Sequence, residues 1–308
     1  MSSSKVKCFG ITYQNRYPWA GSKLVGQVIL ELQQPVKATQ ILLFIDGRSQ
    51  TFWEEFEKKG TGKTAAGHRF WGDEVFIHSG SILWQEERPG RGYLKEGVHI
   101  FDFQFDIPRQ AAAPYCHRYE WARVSYVARA AIKRSSWFKR DLTCEQPFSV
   151  IPLVDLNSIT EVSRAPVVTR SAVDGIEVEI GMPHTGFVIG EKIRLQVVIN
   201  NTASKSIKGL HCTLERFLKF RAHREDNWNT KHEKTDEEQV LTYSKDLVAH
   251  TQQQFLWEIN IPHLPPSMLT HPYLEIKYQF VFNLDVTGWL NRDLKLVVPI
   301  TIGTIPFQ

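Results

Sequence analysis

Strict two-residue alternation of apolar and polar side chains recurs along this chain, and few patterns restrict a fold more, because successive strand residues point to opposite faces of a sheet. Across 100–107, Phe101, Phe103, Phe105 and Ile107 alternate with Asp102, Gln104 and Asp106. Ile193, Leu195, Val197 and Ile199 alternate with Lys192, Arg194, Gln196 and Asn200, broken by Val198. Ile276, Tyr278, Phe280, Phe282 and Leu284 are set against Glu275, Lys277, Gln279 and Asn283, and 294–302 repeats the pattern. Each predicts a strand with one face in a core and the other in water. No stretch shows a helical period of useful length. Sheets wetted on one face pack in pairs, so the chain reads as all-β. Thirty-six aromatic residues among 308, nine of them Trp, suit the same pleated faces.

The pattern occurs twice in the same order. Residues 21–30 (GSKLVGQVIL) and 190–199 (GEKIRLQVVI) align without gaps at an offset of 169, sharing Gly, Lys, Gln and Val. In each half a later strand ends at Ile-Pro, 103–108 (FQFDIP) and 257–262 (WEINIP), where proline stops the ladder for want of an N–H. Each half then closes with a Pro-bounded strand, 147–152 and 299–306. Three matches in order predict two similar sandwiches, 1–152 and 173–308, joined by a polar linker over 153–172 that lacks sustained alternation.

Other classes fall away on what is missing. The first ten residues (MSSSKVKCFG) do not form a secretory signal, and no apolar run approaches the ~18 to 20 residues of a membrane span. A cytoplasmic chain is expected. Cys8, Cys116, Cys144 and Cys212 are far apart and form no CxxC pair, which predicts reduced, half-buried thiols. No HExxH or His/Cys cluster has metal-ligand spacing. No metal or cofactor is expected. A net charge of +4 is too weak to hold nucleic acid without local clustering.

Two long interruptions stand inside the sandwiches. Residues 46–73 carry Gly47, Gly60, Gly62, Gly67 and Gly72, and 221–239 carry ten formal charges around Trp228. Each is either a long hairpin with a solvated tip or a partner-contacting loop. The string 60–64 (GTGKT) resembles the end of a phosphate-binding loop, yet the glycine required at the first position of GxxxxGK[ST] is Glu57. Glu54, Glu55 and Glu57 read as a solvated charge run, and no GxSxG elbow exists. No enzyme is expected.

Charge placement is more informative than its total. From Trp121 to Arg140 there are six basic residues, Arg123, Arg129, Lys133, Arg134, Lys139 and Arg140, and no acid. Alternation puts Val124, Tyr126, Ala128, Ala130 and Ile132 on one face of a strand and Arg123, Ser125, Arg129 and Lys133 on the other. Such a row of cations either contacts phosphate or carboxylate groups or meets acidic neighbours and water. The candidate contact face is Arg123, Arg129, Lys133, Lys139 and Arg140. Trp137 and Phe138, at the turn that follows, serve either as packing residues or as an exposed contact.

The same strings resemble the arrestins, specifically the alpha-arrestin (arrestin domain-containing) branch. The resemblance rests on 47–55 (GRSQTFWEE, with Gly47, Trp53 and Glu55), 96–108 (EGVHIFDFQFDIP), 137–150 (WFKRDLTCEQPFSV), 186–192 (GFVIGEK), 261–267 (IPHLPPS), 275–278 (EIKY) and 299–306 (PITIGTIP). It implies two tandem immunoglobulin-like β-sandwiches, the arrestin N-domain and C-domain. It also implies a non-enzymatic adaptor that binds membrane-protein cargo and assists its ubiquitination, endocytosis and endosomal sorting, at the cytoplasmic side of plasma membrane and endosomes. Anionic lipid headgroups are a further expected partner of the basic face, and nucleic acid is not. The rival readings are an arrestin-shaped subunit of a stable sorting complex and, in a different class, a nucleotide-dependent enzyme built on the GTGKT loop. Alpha-arrestins usually carry PPxY motifs that dock WW domains, whereas here the chain ends two residues after Pro306 and Pro265-Pro266 is followed by Ser267 and Met268. A ubiquitin ligase would thus be recruited without PPxY. The paired cysteines common near the linker are missing, and no cysteine follows Cys212, which argues against a thioredoxin-binding role. The phosphate-sensing charge network of the visual and beta-arrestins has no residue-by-residue match.

Overall fold

The computed structural model describes residues 5–57, 66–88, 91–134, 140–159, 164–173, 175–203, 206–247, 252–286 and 294–308, with the side chains of Glu57, Trp228 and Thr230 excepted. The GTGKT string, Trp137, Phe138 and Lys139 lie outside these residues. Every regular element among the described residues is a strand. The chain divides into two compact units, one of Met1–Leu153 with Ala222–Thr230, the other of Val154–Arg221 with Lys231–Gln308.

The first unit holds β1 (Val6–Tyr13), β2 (Lys23–Leu32), β3 (Val36–Lys37), β4 (Gln40–Glu57), β5 (Ala66–Gln85), β6 (Tyr93–Leu94), β7 (Gly97–Asp106), β8 (Tyr115–Cys116), β9 (Ala122–Lys133) and β10 (Leu142–Phe148). One sheet runs β1-β2-β7, and the facing one runs β10-β9-β4-β5. The core closes between them: Leu30 and Leu32 of β2 pack with Ile41 of β4 and Ile132 of β9. The alternation predicted for β7 and β9 is the observed one, with Phe103, Phe105, Val124, Tyr126, Ala128, Ala130 and Ile132 all buried. The closing strand is β10, not 147–152. It tolerates Pro147 because it lies at the sheet edge, where a missing N–H is harmless.

The second unit holds β11 (Val167–Val173), β12 (Ile176–Met182), β13 (Gly186–Val188), β14 (Lys192–Asn201), β15 (Ile207–Arg224), β16 (Asn227–Asp246), β17 (Gln253–Asn260), β18 (Leu274–Val286) and β19 (Leu294–Gly303), with Ala222–Thr230 assigned to the first unit. Its sheets are β11-β12-β14-β17 and β15-β18-β19-β13, with β16 paired to β15. Phe187, Phe280 and Phe282 fill the space between them.

The repeat read from the sequence is a repeat of structure. Strand β2 pairs with β7 through Lys23 and Asp106, and β14 pairs with β17 through Lys192 and Asn260. The turn before each is bonded alike: Gly21 N–H donates to Ile107 O at 2.9 Å, and Gly190 N–H to Ile261 O at 2.9 Å. Two expectations need correction. The stretch 153–172 is not all linker. Val154 N–H donates to Thr304 Oγ1 at 2.9 Å, Asp155 bridges Ile305, and β11 begins at Val167 and pairs along β12. Glu275 is not on a wet face. It is 8% exposed, because Arg221, Glu233 and Lys277 gather over it.

Both long interruptions contain paired strand. Strands β4 and β5 pair from Gln40–Gln85 to Glu57–Ala66, and β15 and β16 flank a two-residue turn at Glu225 and Asp226.

Candidate functional site

Strand β9 shows why the basic row exists. Its inward side is built from small residues, Ala122, Ala128 and Ala130, which leave room for the large ring of Tyr126 beside Phe76 and Phe148. Tyr126 Oη, buried, donates to Ala112 O at 2.8 Å. The outward positions then carry Arg123, Ser125, Arg129 and Lys133.

The cations are not bare. Arg129 Nε donates to Glu145 Oε1 of β10 at 2.8 Å, and its Nη1 is 3.9 Å from Asp46 Oδ2 of β4. Lys133 Nζ is 2.6 Å from Asp141 Oδ2, and the hydrogen bond from Lys133 holds that carboxyl below the usual aspartate range. Asp46, with only 13% of its side chain exposed, also accepts from Arg48 Nη2 at 3.0 Å and sits 3.6 Å from His78 Nδ1. The bond to Asp46 raises the Arg48 guanidinium above its ordinary value. Arg123 is the least committed of the row, 3.8 Å from Glu120 and 57% exposed. Arg140 is exposed ahead of β10 and has no ion pair among the described residues. The structure therefore gathers Arg123, Arg129 and Lys133 on one face, adds Arg48, and intersperses acids from neighbouring strands.

Beyond Arg123 the face changes character. On β4, Ser49 and Thr51 point into the core at 0% and 1% exposure, while Phe52 points out. Small polar side chains inside and a phenyl ring outside invert the usual pattern, and such inversions mark surfaces kept for contact. Phe52 lies directly opposite Trp71 of β5, with the two rings 51% and 41% exposed. Two other outward phenyls of β4 lie against glycines of β5, Phe44 against Gly80 and Phe56 against Gly67, where an added Cβ would come within 2.6 and 3.0 Å of the rings, and both remain exposed. Phe52 and Trp71 border a groove of about 570 Å³ whose rim includes Arg69, Glu120, Arg123 and Glu225. None of Arg48, Phe52, Trp71 or Glu225 was picked out from the sequence, although the order Ser49-Gln50-Thr51-Phe52 carried the inverted alternation.

Two tandem β-sandwiches with matching turns and a decorated outer sheet define an arrestin-type binding module. The arrestin (or S-antigen) N-terminal domain family matches residues 11–157, and the C-terminal domain family matches 174–307. The chain belongs to the arrestin family, on its alpha-arrestin branch. Among its relatives are arrestin domain-containing protein 17 of Caenorhabditis elegans, 23% identical over 94% of this chain and 68% of that protein, and arrestin domain-containing protein 4 of Homo sapiens, 23% identical over 100% and 73%. A third is the probable HECT-type ubiquitin ligase-interacting protein creD of Aspergillus terreus, 25% identical over 57% of this chain and 29% of that protein.

Proposed function

We propose that this chain is a non-enzymatic adaptor that binds membrane-protein cargo on the cytoplasmic side of plasma membrane and endosomes and assists its endocytosis and sorting. The supporting observation is the pair of arrestin domain families, in order, over nearly the whole chain. The contact face is the outer side of β9, with Arg123, Arg129 and Lys133 exchanging their acidic neighbours for acidic groups of the cargo or of lipid headgroups. Such charge-assisted bonds need a partner that offers better geometry than Glu145 or Asp141 already does.

Ligase recruitment belongs to the same reading, supported by the likeness to creD, a probable HECT-type ubiquitin ligase-interacting protein. The Pro-Pro pair is not the docking element: Pro266 is buried, and Tyr278 Oη donates to Pro265 O at 2.7 Å. The test is the triple change Arg123→Glu, Arg129→Glu, Lys133→Glu. It should lose capture of membrane cargo from detergent extract while its thermal melt stays within a few degrees of wild type. Unchanged capture by a folded triple variant sinks the assignment of this face.

A further inference from the structure

We infer that the open edge of β7 takes an extended segment of a partner protein as a fourth strand of the β1-β2-β7 sheet. The segment carries β-branched apolar residues beside Val98 and Ile100 and Lys or Arg beside Asp102 and Asp106. This surface lies on the sheet that faces the one carrying β9 and does not rest on the β9 assignment. Among the described residues β7 pairs with β2 on one side and with no strand on the other. A bare row of N–H and C=O groups is a template for another chain, and proteins blunt it with proline, lysine or a bulge. Two other edges of this sandwich are blunted in that way. Strand β1 carries Lys7 and a register shift between Val6 and Cys8, and β10 carries Pro147. Strand β7 has none of these: its register on β2 is unbroken from Lys23–Asp106 to Leu32–Gly97, and Gly97–Phe101 (GVHIF) contains no Lys, Arg, Asp, Glu or Pro.

The outward face beside that edge is apolar where a wet surface calls for polar side chains. Val98 and Ile100 are 62% and 56% exposed. Ile100 lies directly opposite the half-buried Ile29 of β2, and Ile29 opposite Gly10 of β1, where an added Cβ would meet nothing within 4 Å. One apolar row thus crosses all three strands. Further along β7 the same face turns acidic. Asp102 accepts a hydrogen bond from Gln27 Nε2 at 2.8 Å and has no ion pair among the described residues. Asp106, with 86% of its side chain exposed, has Lys23 at 3.6 Å. Apolar positions at one end and carboxylates at the other set the order of an added strand: paired antiparallel, as β2 is, it runs from basic residues to apolar ones. Backbone bonds give such a strand affinity, and its alternate side chains, neighbours of those on β7, give it specificity. A second copy offers no such match. Laid antiparallel on itself about Ile100, Phe101 or Asp102, β7 would set Asp102 opposite Val98, Ile100 or another Asp102 in turn.

The experiment uses the intact chain with a labelled probe, Lys-Thr-Ser-Thr-Lys-Thr-Val-Thr-Val, and a charge-reversed form carrying Asp for each Lys, read by fluorescence anisotropy and by amide hydrogen exchange in NMR. Binding of the basic probe should slow exchange at every second N–H of β7, the mark of a newly paired antiparallel edge. Asp102→Lys should weaken it about fivefold and turn the preference to the charge-reversed form, and Ile100→Thr should weaken it about threefold. Both changes fall at exposed positions, and thermal melts check that the variants stay folded. No slowing along β7, or binding indifferent to both Asp102→Lys and Ile100→Thr, overturns the inference. So does self-association of the chain at micromolar concentration that protects the same N–H groups, since a second copy then holds the edge. The triple change on β9 should leave probe binding as it is, so that failure of that face and failure of this edge are told apart; loss of the probe there puts it on the wrong sheet and overturns the inference as well.

Discussion

Gly21 and Gly190, 169 residues apart, adopt φ 79° and 80° and make equivalent bonds to the isoleucine of an Ile-Pro pair. A positive φ costs an ordinary L-residue roughly 1 kcal/mol. Gly190→Ala should therefore lower the unfolding free energy by about 1 kcal/mol, and Gly190→Asn by less, since Asn tolerates this region. Gly21→Ala should cost at least as much, because its Cβ would also stand 3.0 Å from Arg109 Cγ, whereas Gly190 has open space. Urea titrations of the three variants decide; no loss in either alanine variant refutes the equivalence.

The half-buried charges of the second unit form a chain: Lys219 Nζ reaches Glu233 at 2.9 Å, Glu233 reaches Arg221 at 3.1 Å, Arg221 reaches Glu275 at 2.6 Å, and Glu275 pairs with Lys277. Removing the buried member leaves two cations without their shared anion. Glu275→Leu should destabilise by about 2 kcal/mol, less than a fully buried pair would because Arg221 is partly solvated. Adding Arg221→Met should return part of that loss, and a double-mutant cycle by chemical denaturation measures the coupling.

His271 gives the second unit an acid limit. Burial, with the Arg221 charge acting in the same direction, pushes its imidazole down to about 4. Its Nδ1 accepts the N–H groups of Tyr273 at 3.2 Å and Leu274 at 3.1 Å. The unfolded chain takes up a proton below about pH 6.5, while the folded chain refuses it until about 4. Stability is present in full above 6.5 and is lost as pH falls toward 4, by up to about 3 kcal/mol. In His271→Asn, which keeps an acceptor near Nδ1, the slope between pH 6.5 and 4.5 should flatten relative to wild type; equal slopes would discount the histidine.

Thiol reactivity should follow burial. Cys8 and Cys116 are exposed, Cys144 is half-buried with its thiol pushed up to about 11 by burial, and Cys212 is buried and pushed up further by the same cause. Because the thiolate is the reactive form, maleimide at neutral pH should label Cys8 and Cys116 first and Cys144 roughly tenfold or more slowly. Cys212 should react only in denaturant. Mass spectrometry of a labelling time course gives the order.

The strands that were legible in the sequence are those with one dry face. For β7, β9, β14 and β19 the periodicity alone names the buried residues, because water on one side and core on the other impose it. Strand β16 stayed undecided between hairpin and loop for the opposite reason: its charged run, including Glu233 and Glu238, is matched to cations of β15 and so lacks an apolar stripe. Strand β11 alternates Val167, Thr169, Ser171 and Val173, too small a contrast to separate from linker. At the candidate site the row of cations could be read, but its acids could not. Glu145 meets Arg129 only through the register of β10 on β9, and Asp46 only through that of β4, and a single sequence does not state register.

The acids that neighbouring segments set among the β9 cations have a kinetic consequence. Arg123, Arg129 and Lys133 each have a carboxylate at 3.8, 2.8 and 2.6 Å in turn, so little field extends into solvent to draw a distant partner inward. Encounter should run near the unsteered ~10⁵ to 10⁶ M⁻¹s⁻¹ and change little with salt. Discrimination between segments then falls after first touch, in how long each one stays.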